Sequence, residues 1–401
     1  MEKPTSGWRR ITDFLALNAA TATLLFAVLC VGMGEELWSP FVPKYLRALG
    51  ASLLLVGLYS AGRNLAEGFL YLSGGILSQS LGVRTSLVAV GLVPLIGYGL
   101  LGWAAGPALG IVGGILVTLW EPLSVPGIFA GVAQALGPQR RTMAFALQSI
   151  QKRVPKIIGP LIGGFVLTGF GVLHGVRALL LVSTVLALLA LAAQLRFLPK
   201  GRPRAEQAAS LTLLRQMPPM LRRLLAAEVF ARWGDWLQRD FIVLYCLDGL
   251  KLSPSSYGGL VALQMTVALL TYLPVGWLVD RTRPRPFIGL TFIFFALFPL
   301  LLYRAEGRWG LILAFVVYGL REIGEPARKA LITNLMPESH RAQAVGAYWA
   351  ARSFFFFPAP LVGAWVWTSL GPRPLLLLSS AVCAVGAAMF LLGFGKRSSV
   401  S

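Results

Sequence analysis

The sequence predicts an all-α integral membrane protein with twelve transmembrane helices, arranged as two similar six-helix bundles. Composition is the first reason: 56% of the 401 residues are hydrophobic and only 13% are charged, where a soluble domain carries about 25% charged residues. The second reason is that apolar windows long enough to cross a bilayer recur along the whole chain. The third is an internal repeat, which indicates two related halves.

The repeat has a shift of about 200 residues. The recurring pairs are Gly34 and Gly234, Glu35 and Asp235, Leu37 and Leu237, Phe41 and Phe241, Tyr45 and Tyr245, Arg141 and Arg341, Pro160 and Pro360, and Gly163 and Gly363. Repeated bundles of membrane helices commonly enclose a substrate site where they meet. We therefore expect the functional site between the two halves.

The elements follow from span length, since about 20 residues cross the hydrocarbon core. The predicted spans are 18–47, 53–78, 85–104, 108–134, 142–170, 175–197, 221–247, 255–279, 286–304, 309–334, 342–369 and 374–395. The first six form an N-terminal bundle over 1–198, and the last six form a C-terminal bundle over 221–401. The polar stretch 199–220 is predicted to be a cytoplasmic linker.

Charge placement predicts the topology. The formal net charge is +20, but the Lys and Arg residues are scattered over many short loops, which is typical of cytoplasmic loops rather than of nucleic-acid binding. We therefore expect both termini in the cytoplasm, a multi-pass location in the cell inner membrane, and no nucleic-acid partner. The three cysteines lie in apolar runs, without the spacing of a disulfide framework or a zinc site.

Charged residues also occur inside the predicted spans, where each costs about 2.5–3.5 kcal/mol on insertion scales. They should therefore line a watery cavity or pair with one another. The expected substrate and proton pathway comprises Glu35, Glu36, Arg63, Glu67, Glu121, Lys152, Arg153, Arg232, Asp235, Arg321, Glu322, Glu325 and Arg352.

The roles of these residues leave alternatives open. The candidates for the coupling proton are Glu35, Glu121, Asp235 and Glu325, because a partly desolvated carboxylate can exchange a proton near neutral pH. Alternatively, fixed ion pairs such as Arg63–Glu67 or Arg232–Asp235 only tie helices together. The bases Lys152, Arg153 and Arg352 are candidates to grip an anionic group from both halves, or else they neutralise nearby acids.

The loops after spans two and eight carry the most specific motif. The second half reads Gly276-Trp-Leu-Val-Asp280-Arg281-Thr-Arg-Pro-Arg285 and the first reads Gly75-Ile-Leu-Ser-Gln79-Ser-Leu-Gly-Val-Arg84. With the two bundles, this resembles the major facilitator superfamily, whose signature there is Gly-x-Leu-x-Asp-Arg-x-Gly-Arg-Lys/Arg. The resemblance implies a central path lined by spans one, four, seven and ten.

The same loops are the expected cytoplasmic gate, formed by Gly75, Gln79, Arg84, Gly276, Asp280, Arg281 and Arg285. A carboxylate at the end of one helix can pair with Arg near another and hold that side shut. Asp280 and Arg281 are expected to do this in the second half. Gln79 carries no charge, so the first-half latch should be weaker.

These observations predict a secondary transporter that works by alternating access, with proton-coupled efflux of an amphipathic or drug-like solute. The Gly159-Pro160-x-x-Gly163-Gly164 segment resembles the end of a motif of proton-coupled antiporters, although plain helix packing also explains it. A carrier of an organic anion or other metabolite, and a non-transporting receptor or scaffold, remain alternatives.

An enzyme is not predicted, because nucleotide-binding loops, nucleophile elbows and His-Glu-x-x-His motifs are missing from the sequence. We expect no cofactor and no metal. The expected partners are a small-molecule substrate, H+ as the coupling ion and the lipid bilayer, with the protein acting as a monomer.

Overall fold

A computed structural model describes residues 19–73, 81–124, 128, 152–199, 218–279, 281–282, 285–325, 327–328, 331–332 and 341–395. Within these residues the regular structure is helical, and no strand occurs. Residues 200–217 of the predicted linker, and residues 129–151, which hold the end of predicted span four and the start of span five, lie outside the described residues, so their predicted structure stays a prediction.

The described residues of the first half form six α-helices of different lengths. They are α1 (Ala19–Glu36), α2 (Val42–Ala48), α3 (Leu53–Ser73), α4 (Val83–Gly102), α5 (Pro107–Thr118) and α6 (Arg153–Phe197). Helix α6 covers two predicted spans and is interrupted at Gly171, whose φ of 74° lies in the left-handed region that glycine adopts readily. The predicted division near this residue therefore corresponds to a real break.

Besides short 3₁₀, α and π segments over 239–249, the described residues of the second half form seven helices. They are α7 (Pro219–Gln238), α8 (Pro254–Val279), α9 (Arg285–Arg304), α10 (Gly307–Leu320), α11 (Arg341–Phe356), α12 (Ala359–Leu370) and α13 (Pro372–Gly395). Three of them begin at a proline, which lacks the N–H that a first turn leaves unpaired and fixes a helical φ. The chain uses this residue repeatedly to start helices.

Several helices are long and apolar enough to cross a bilayer. Within the described residues these seven are Ala19–Ala48, Val83–Gly102, Pro107–Ser124, Arg153–Phe197, Arg285–Arg304, Ala347–Leu370 and Pro372–Gly393, with Gly307–Leu320 a shorter apolar helix. Large apolar side chains such as Phe165, Leu181 and Leu392 are exposed on their surfaces, as expected for contact with lipid. The all-α membrane fold is therefore confirmed, while the count of twelve spans stays a prediction.

Within the described residues, five predicted spans are not continuous helices, contrary to the sequence-based bounds. Span four is interrupted at Leu119, directly after α5. Span one breaks after Glu36 into a 3₁₀ turn over Ser39–Phe41, and span seven breaks after Gln238. Span ten changes to turns over 321–324, and span eleven changes at 357–358. Prolines account for the breaks in spans one and eleven, since Pro40, Pro43 and Pro358 have no N–H to donate.

The internal repeat appears as repeated contacts. Gly163 packs so closely on the backbone carbonyl of Leu37 that a Cβ would clash, and Gly363 packs in the same way on Leu237. The Ser183 hydroxyl donates to the Gly34 carbonyl over 2.7 Å, and Ser379 donates to the Gly234 carbonyl over 2.5 Å. The two halves thus hold their first helices by equivalent contacts.

Candidate functional site

Helix interruptions bring polar backbone and charged side chains to the middle of the bundle. Helix α1 ends one residue after Glu35, and α7 ends three residues after Asp235. Arg321 and Glu322 lie in the turn that follows α10. Discontinuous membrane helices mark binding sites in transporters, because their ends expose unpaired backbone groups. The broken segments therefore locate the candidate site.

Glu228, on α7, is the centre of a buried ionic cluster. Its side chain is fully buried and accepts hydrogen bonds from Arg328 Nη1 at 2.9 Å, Arg352 Nη1 at 3.0 Å and Arg232 Nε at 2.9 Å. The Tyr348 hydroxyl donates to the other carboxylate oxygen at 2.5 Å. One carboxylate thus joins α7, α11 and the segment after α10.

Glu325 completes this cluster. It accepts from Arg328 Nη2 at 2.6 Å and also pairs with Arg232. We name Glu228, Arg232, Glu325, Arg328 and Arg352 the Glu228 cluster. Its three arginines face two carboxylates, so one positive charge is in excess. Groups buried in this way are fixed by mutual pairing rather than by water.

The candidates predicted from the sequence did not include Glu228. The signal that could have found it is its spacing from Arg232, because residues four apart share one face of a helix. It sits in a run of otherwise apolar residues in the middle of α7. The proposed alternative pair Arg232–Asp235 does not occur, since Arg232 pairs with Glu228 and Glu325 instead.

Asp235 pairs with Arg321. Arg321 Nη1 donates to Asp235 Oδ1 at 2.5 Å, and both residues are buried. The guanidinium also lies 3.8 Å from the ring centroid of Tyr318, and its Nε is 3.8 Å from Glu322 Oε1. This cation therefore neutralises the acid of the broken helix α7.

The first half pairs its acids more loosely. Lys152 Nζ lies 3.1 Å from Glu121 Oε1, with about half of the Glu121 side chain exposed. Lys156 Nζ lies 3.9 Å from Glu36 Oε1, a distance too long for a hydrogen bond. Glu35 is half-buried and forms no ion pair with any described residue. This half keeps acidic groups in reach of water.

The two halves differ at equivalent positions of the repeat. Asp235 in the second half corresponds to Glu35 in the first, and Arg321 corresponds to Glu121. Where the second half has the cation Arg321 beside Asp235, the first half therefore has the anion Glu121. The negative charge of Glu121 acts on Glu35 and opposes its ionisation. Glu35 therefore lacks the direct ion pair that Asp235 has.

Arg63 joins the two halves instead of pairing with Glu67 on its own helix. Its Nη2 lies 3.3 Å from Asp240 Oδ2, and its guanidinium is 5.3 Å from the Trp236 ring centroid. The alternative prediction of an Arg63–Glu67 pair is therefore wrong, because Arg63 pairs with Asp240 instead. Among the described residues, Glu67 forms no ion pair.

The bases predicted to grip an anion each contact another group. Lys152 pairs with Glu121, as described above. The Arg153 guanidinium lies 4.1 Å from the Tyr272 ring centroid across the two halves, and Arg352 stacks on Trp349 at 3.7 Å while it binds Glu228. The structure therefore does not assemble them as one open anion site.

One end of the bundle is closed by backbone contacts between the halves. A Cβ at Gly57 of α3 would clash with the Pro360 carbonyl, and one at Gly258 of α8 would clash with the Pro160 carbonyl. These pairs are equivalent in the repeat, and they lie near the end that is predicted to be outside. Lys44 and Asp248 form a salt bridge between the halves at the same end.

The predicted cytoplasmic gate is only partly described. Gly75, Gln79 and Asp280 lie outside the described residues, and Gly276 lies within α8. Arg84 donates to the Leu195 carbonyl inside its own half, Arg281 is exposed, and Arg285 begins α9. The latch between Asp280 and Arg281 stays a prediction. Among the described residues, no group of three His, Cys, Asp or Glu side chains is placed to hold a metal ion.

Comparison with known proteins gives a consistent result. A family model described as Major Facilitator Superfamily matches residues 24–247 and 224–400. The multidrug resistance protein MdtH of Sodalis glossinidius (strain morsitans) is 25% identical over 334 residues, covering 80% of each chain. MdtH of Cronobacter sakazakii (strain ATCC BAA-894) is 26% identical over 313 residues, covering 76% of this chain and 75% of the relative.

Solved structures share the fold at low identity. The nucleoside transporter NupG has a TM-score of 0.78 at 14% identity, covering 94% of this chain and 100% of that one. A POT family transporter in complex with 5-aminolevulinic acid has a TM-score of 0.76 at 12% identity, covering 94% and 96%.

Proposed function

The chain belongs to the Major Facilitator Superfamily, and from that membership we propose that it is a secondary active transporter that exports an amphipathic, drug-like compound in exchange for protons. Relatives that share about a quarter of its residues over most of their length are named multidrug resistance proteins, which supports export of this substrate class. The two halves, 1–198 and 221–401, would rock about the central site and be joined by the linker 199–220.

Other parts of the proposal follow from the same fold. The protein would be a multi-pass monomer of the cell inner membrane with both termini in the cytoplasm. The tight contacts at Gly57 and Gly258 would be those of a state closed to the outside. The gate around Asp280 and Arg281 would close the opposite end when the outer contacts separate.

Proton coupling rests on one observation, the unequal partners of Glu35 and Asp235. Asp235 is buried in an ion pair with Arg321, so a proton on Asp235 would break a buried salt bridge. Glu35 is half-buried and has no ion-pair partner among the described residues, so protonation breaks no salt bridge. We assign the coupling proton to Glu35, with Glu121 next to it in the path.

The test is counter-transport in sealed vesicles that contain the purified chain. A pH gradient is imposed, and the accumulation of a panel of fluorescent, drug-like amphipathic compounds is measured for the unmodified protein and for Glu35→Gln. We expect gradient-driven accumulation to fall at least tenfold in Glu35→Gln, while exchange without a gradient persists. The matched control is Glu306→Gln, an exposed carboxylate that caps no helix through its side chain.

Two results would overturn the proposal. If Glu35→Gln accumulates the compounds as well as the unmodified protein does, the assignment of the coupling proton to Glu35 is wrong. If the unmodified protein moves no compound of the panel under either direction of the pH gradient, the proposal of drug export is wrong.

A further inference from the structure

Two buried hydrogen-bond donors lie beside the broken end of α1 without a partner. Trp38 is fully buried and Tyr98 is 2% exposed. The Trp38 indole Nε1 and the Tyr98 hydroxyl form no hydrogen bond with any described residue. Buried polar groups are nearly always paired, because an unpaired one loses its hydrogen bonds to water without replacement. An acceptor must therefore serve these donors in some state of the protein.

The two side chains belong to one place. Their rings meet edge to face, with centroids 6.1 Å apart and planes at 89°. Trp38 N donates to the Glu35 carbonyl at 3.4 Å, which is the spacing of a 3₁₀ turn. Side chains three apart eclipse in such a turn, so Trp38 lies on the side of the chain that carries Glu35.

Tyr98 approaches the Glu35 segment from another helix, since its ring contacts Trp38. It lies on α4, close enough for the charge of Glu35 to act on its hydroxyl. The segment between them is held firmly, since the Leu37 carbonyl packs on Gly163 and the Tyr45 hydroxyl donates to the Leu101 carbonyl at 2.8 Å. These contacts hold the backbone that carries Trp38 and Tyr98.

We propose that Tyr98 and Trp38 are positioning residues for Glu35, and that they donate hydrogen bonds to its ionised carboxylate, directly or through one bridging water. The proposal rests on the proposed proton coupling at Glu35. When Glu35 takes a proton from water in the path, the carboxylate loses its charge and releases both donors. When it returns the proton, the donors bind again, and they keep their own protons throughout.

The second half of the repeat supports this role. Phe298, which has no hydroxyl, stands where the first half has Tyr98, and Gln238, whose buried amide also has no hydrogen-bond partner among the described residues, stands where it has Trp38. There Asp235 takes the cation Arg321 as its partner. A cation holds a carboxylate in its ionised form, whereas neutral donors stabilise the ionised form only modestly and let the proton return. The first half therefore has donors suited to an acid that changes its charge.

Other groups face Glu35 and act on its charge as well. They are Glu36 on its own helix, Tyr59 and Arg63 on α3, Glu121 in the segment after α5, and Lys156 on α6. Two of these are acids and two are bases, so their effects oppose each other. The pH response must therefore be measured with only one donor changed at a time.

The test is a pH titration of the purified full chain by infrared difference spectroscopy. The proton itself is the probe, and the carboxyl band of Glu35 is assigned as the band that Glu35→Gln removes. The variants are Tyr98→Phe and Trp38→Phe. The control is Tyr318→Phe, which removes a buried hydroxyl in the second half, beside Arg321 rather than Glu35.

Loss of a donor to a charged carboxylate favours its protonated form, so the pH of half-protonation should rise by about one unit in Tyr98→Phe. Trp38→Phe should raise it in the same direction, which covers the case that Tyr98→Phe does not fold. Tyr318→Phe should leave it unchanged.

Half-protonation at the unmodified pH in both donor variants would overturn the inference while leaving proton coupling intact. If Glu35→Gln removes no carboxyl band and still shows transport driven by a pH gradient, the proposed proton coupling at Glu35 is itself wrong.

Discussion

Replacing Glu228 with Gln should destabilise the second half strongly. The substitution keeps the size of the side chain and removes its charge. Arg232 and Arg328 then keep Glu325, while Arg352 loses its carboxylate partner, so the excess positive charge in the Glu228 cluster rises from one to two. Removing one partner of a buried ion pair costs about 3–5 kcal/mol, because the remaining charge is left without compensation.

The free energy of unfolding can be measured by titrating the protein in mixed micelles with a denaturing detergent, followed by circular dichroism. Glu306→Gln is the control, since an exposed carboxylate should change the free energy by no more than about 0.5 kcal/mol. The double variant Glu228→Gln with Arg328→Gln restores the original excess of one charge. It should therefore lose less stability than the sum of the two single variants.

Additive losses in the double variant would refute the charge argument. A loss for Glu228→Gln no larger than for Glu306→Gln would show that the cluster does not stabilise the fold at all.

Two further predictions concern the contacts between the halves. Gly258→Val should hold the outer end of the two halves apart, because the added side chain meets the Pro160 carbonyl of the other half. The distance between spin labels placed at 44 and 248 should therefore increase. Gly259→Val is the control and should leave this distance unchanged, because its side chain points into open space. Asp240→Asn should lower the free energy of unfolding by about 1–3 kcal/mol, since it leaves the half-buried Arg63 without its partner. Asp248→Asn, at an exposed pair, should cost less than about 1 kcal/mol in the same measurement.

The fold class could be predicted from the sequence because membrane helices consist of long apolar runs, whose length is set by the thickness of the bilayer. The repeat was equally readable. Gly163 and Gly363, matched in the sequence, make the same close contact with Leu37 and Leu237 in the structure. The breaks within helices were harder to predict from the sequence, since a run such as 18–47 remains largely apolar on both sides of the break after Glu36.

The partners of the charged residues could not be predicted from spacing alone. Arg63 and Glu67 are four apart on one helix, yet Arg63 reaches Asp240 on the other half. Asp235 and Arg232 are neighbours on α7, yet each finds its partner near the end of α10. Pairing in a bundle depends on how helices rotate against one another, and a single sequence carries no direct record of that rotation.

The charge reversal between Glu121 and Arg321 has an evolutionary consequence. If the halves descend from one duplicated segment, the change of sign at this position is one of the steps by which the two copies diverged. Under the proposed coupling, the second copy became a fixed anchor in which Asp235 is paired with Arg321, whereas the first kept in Glu35 an acid without an ion-pair partner among the described residues.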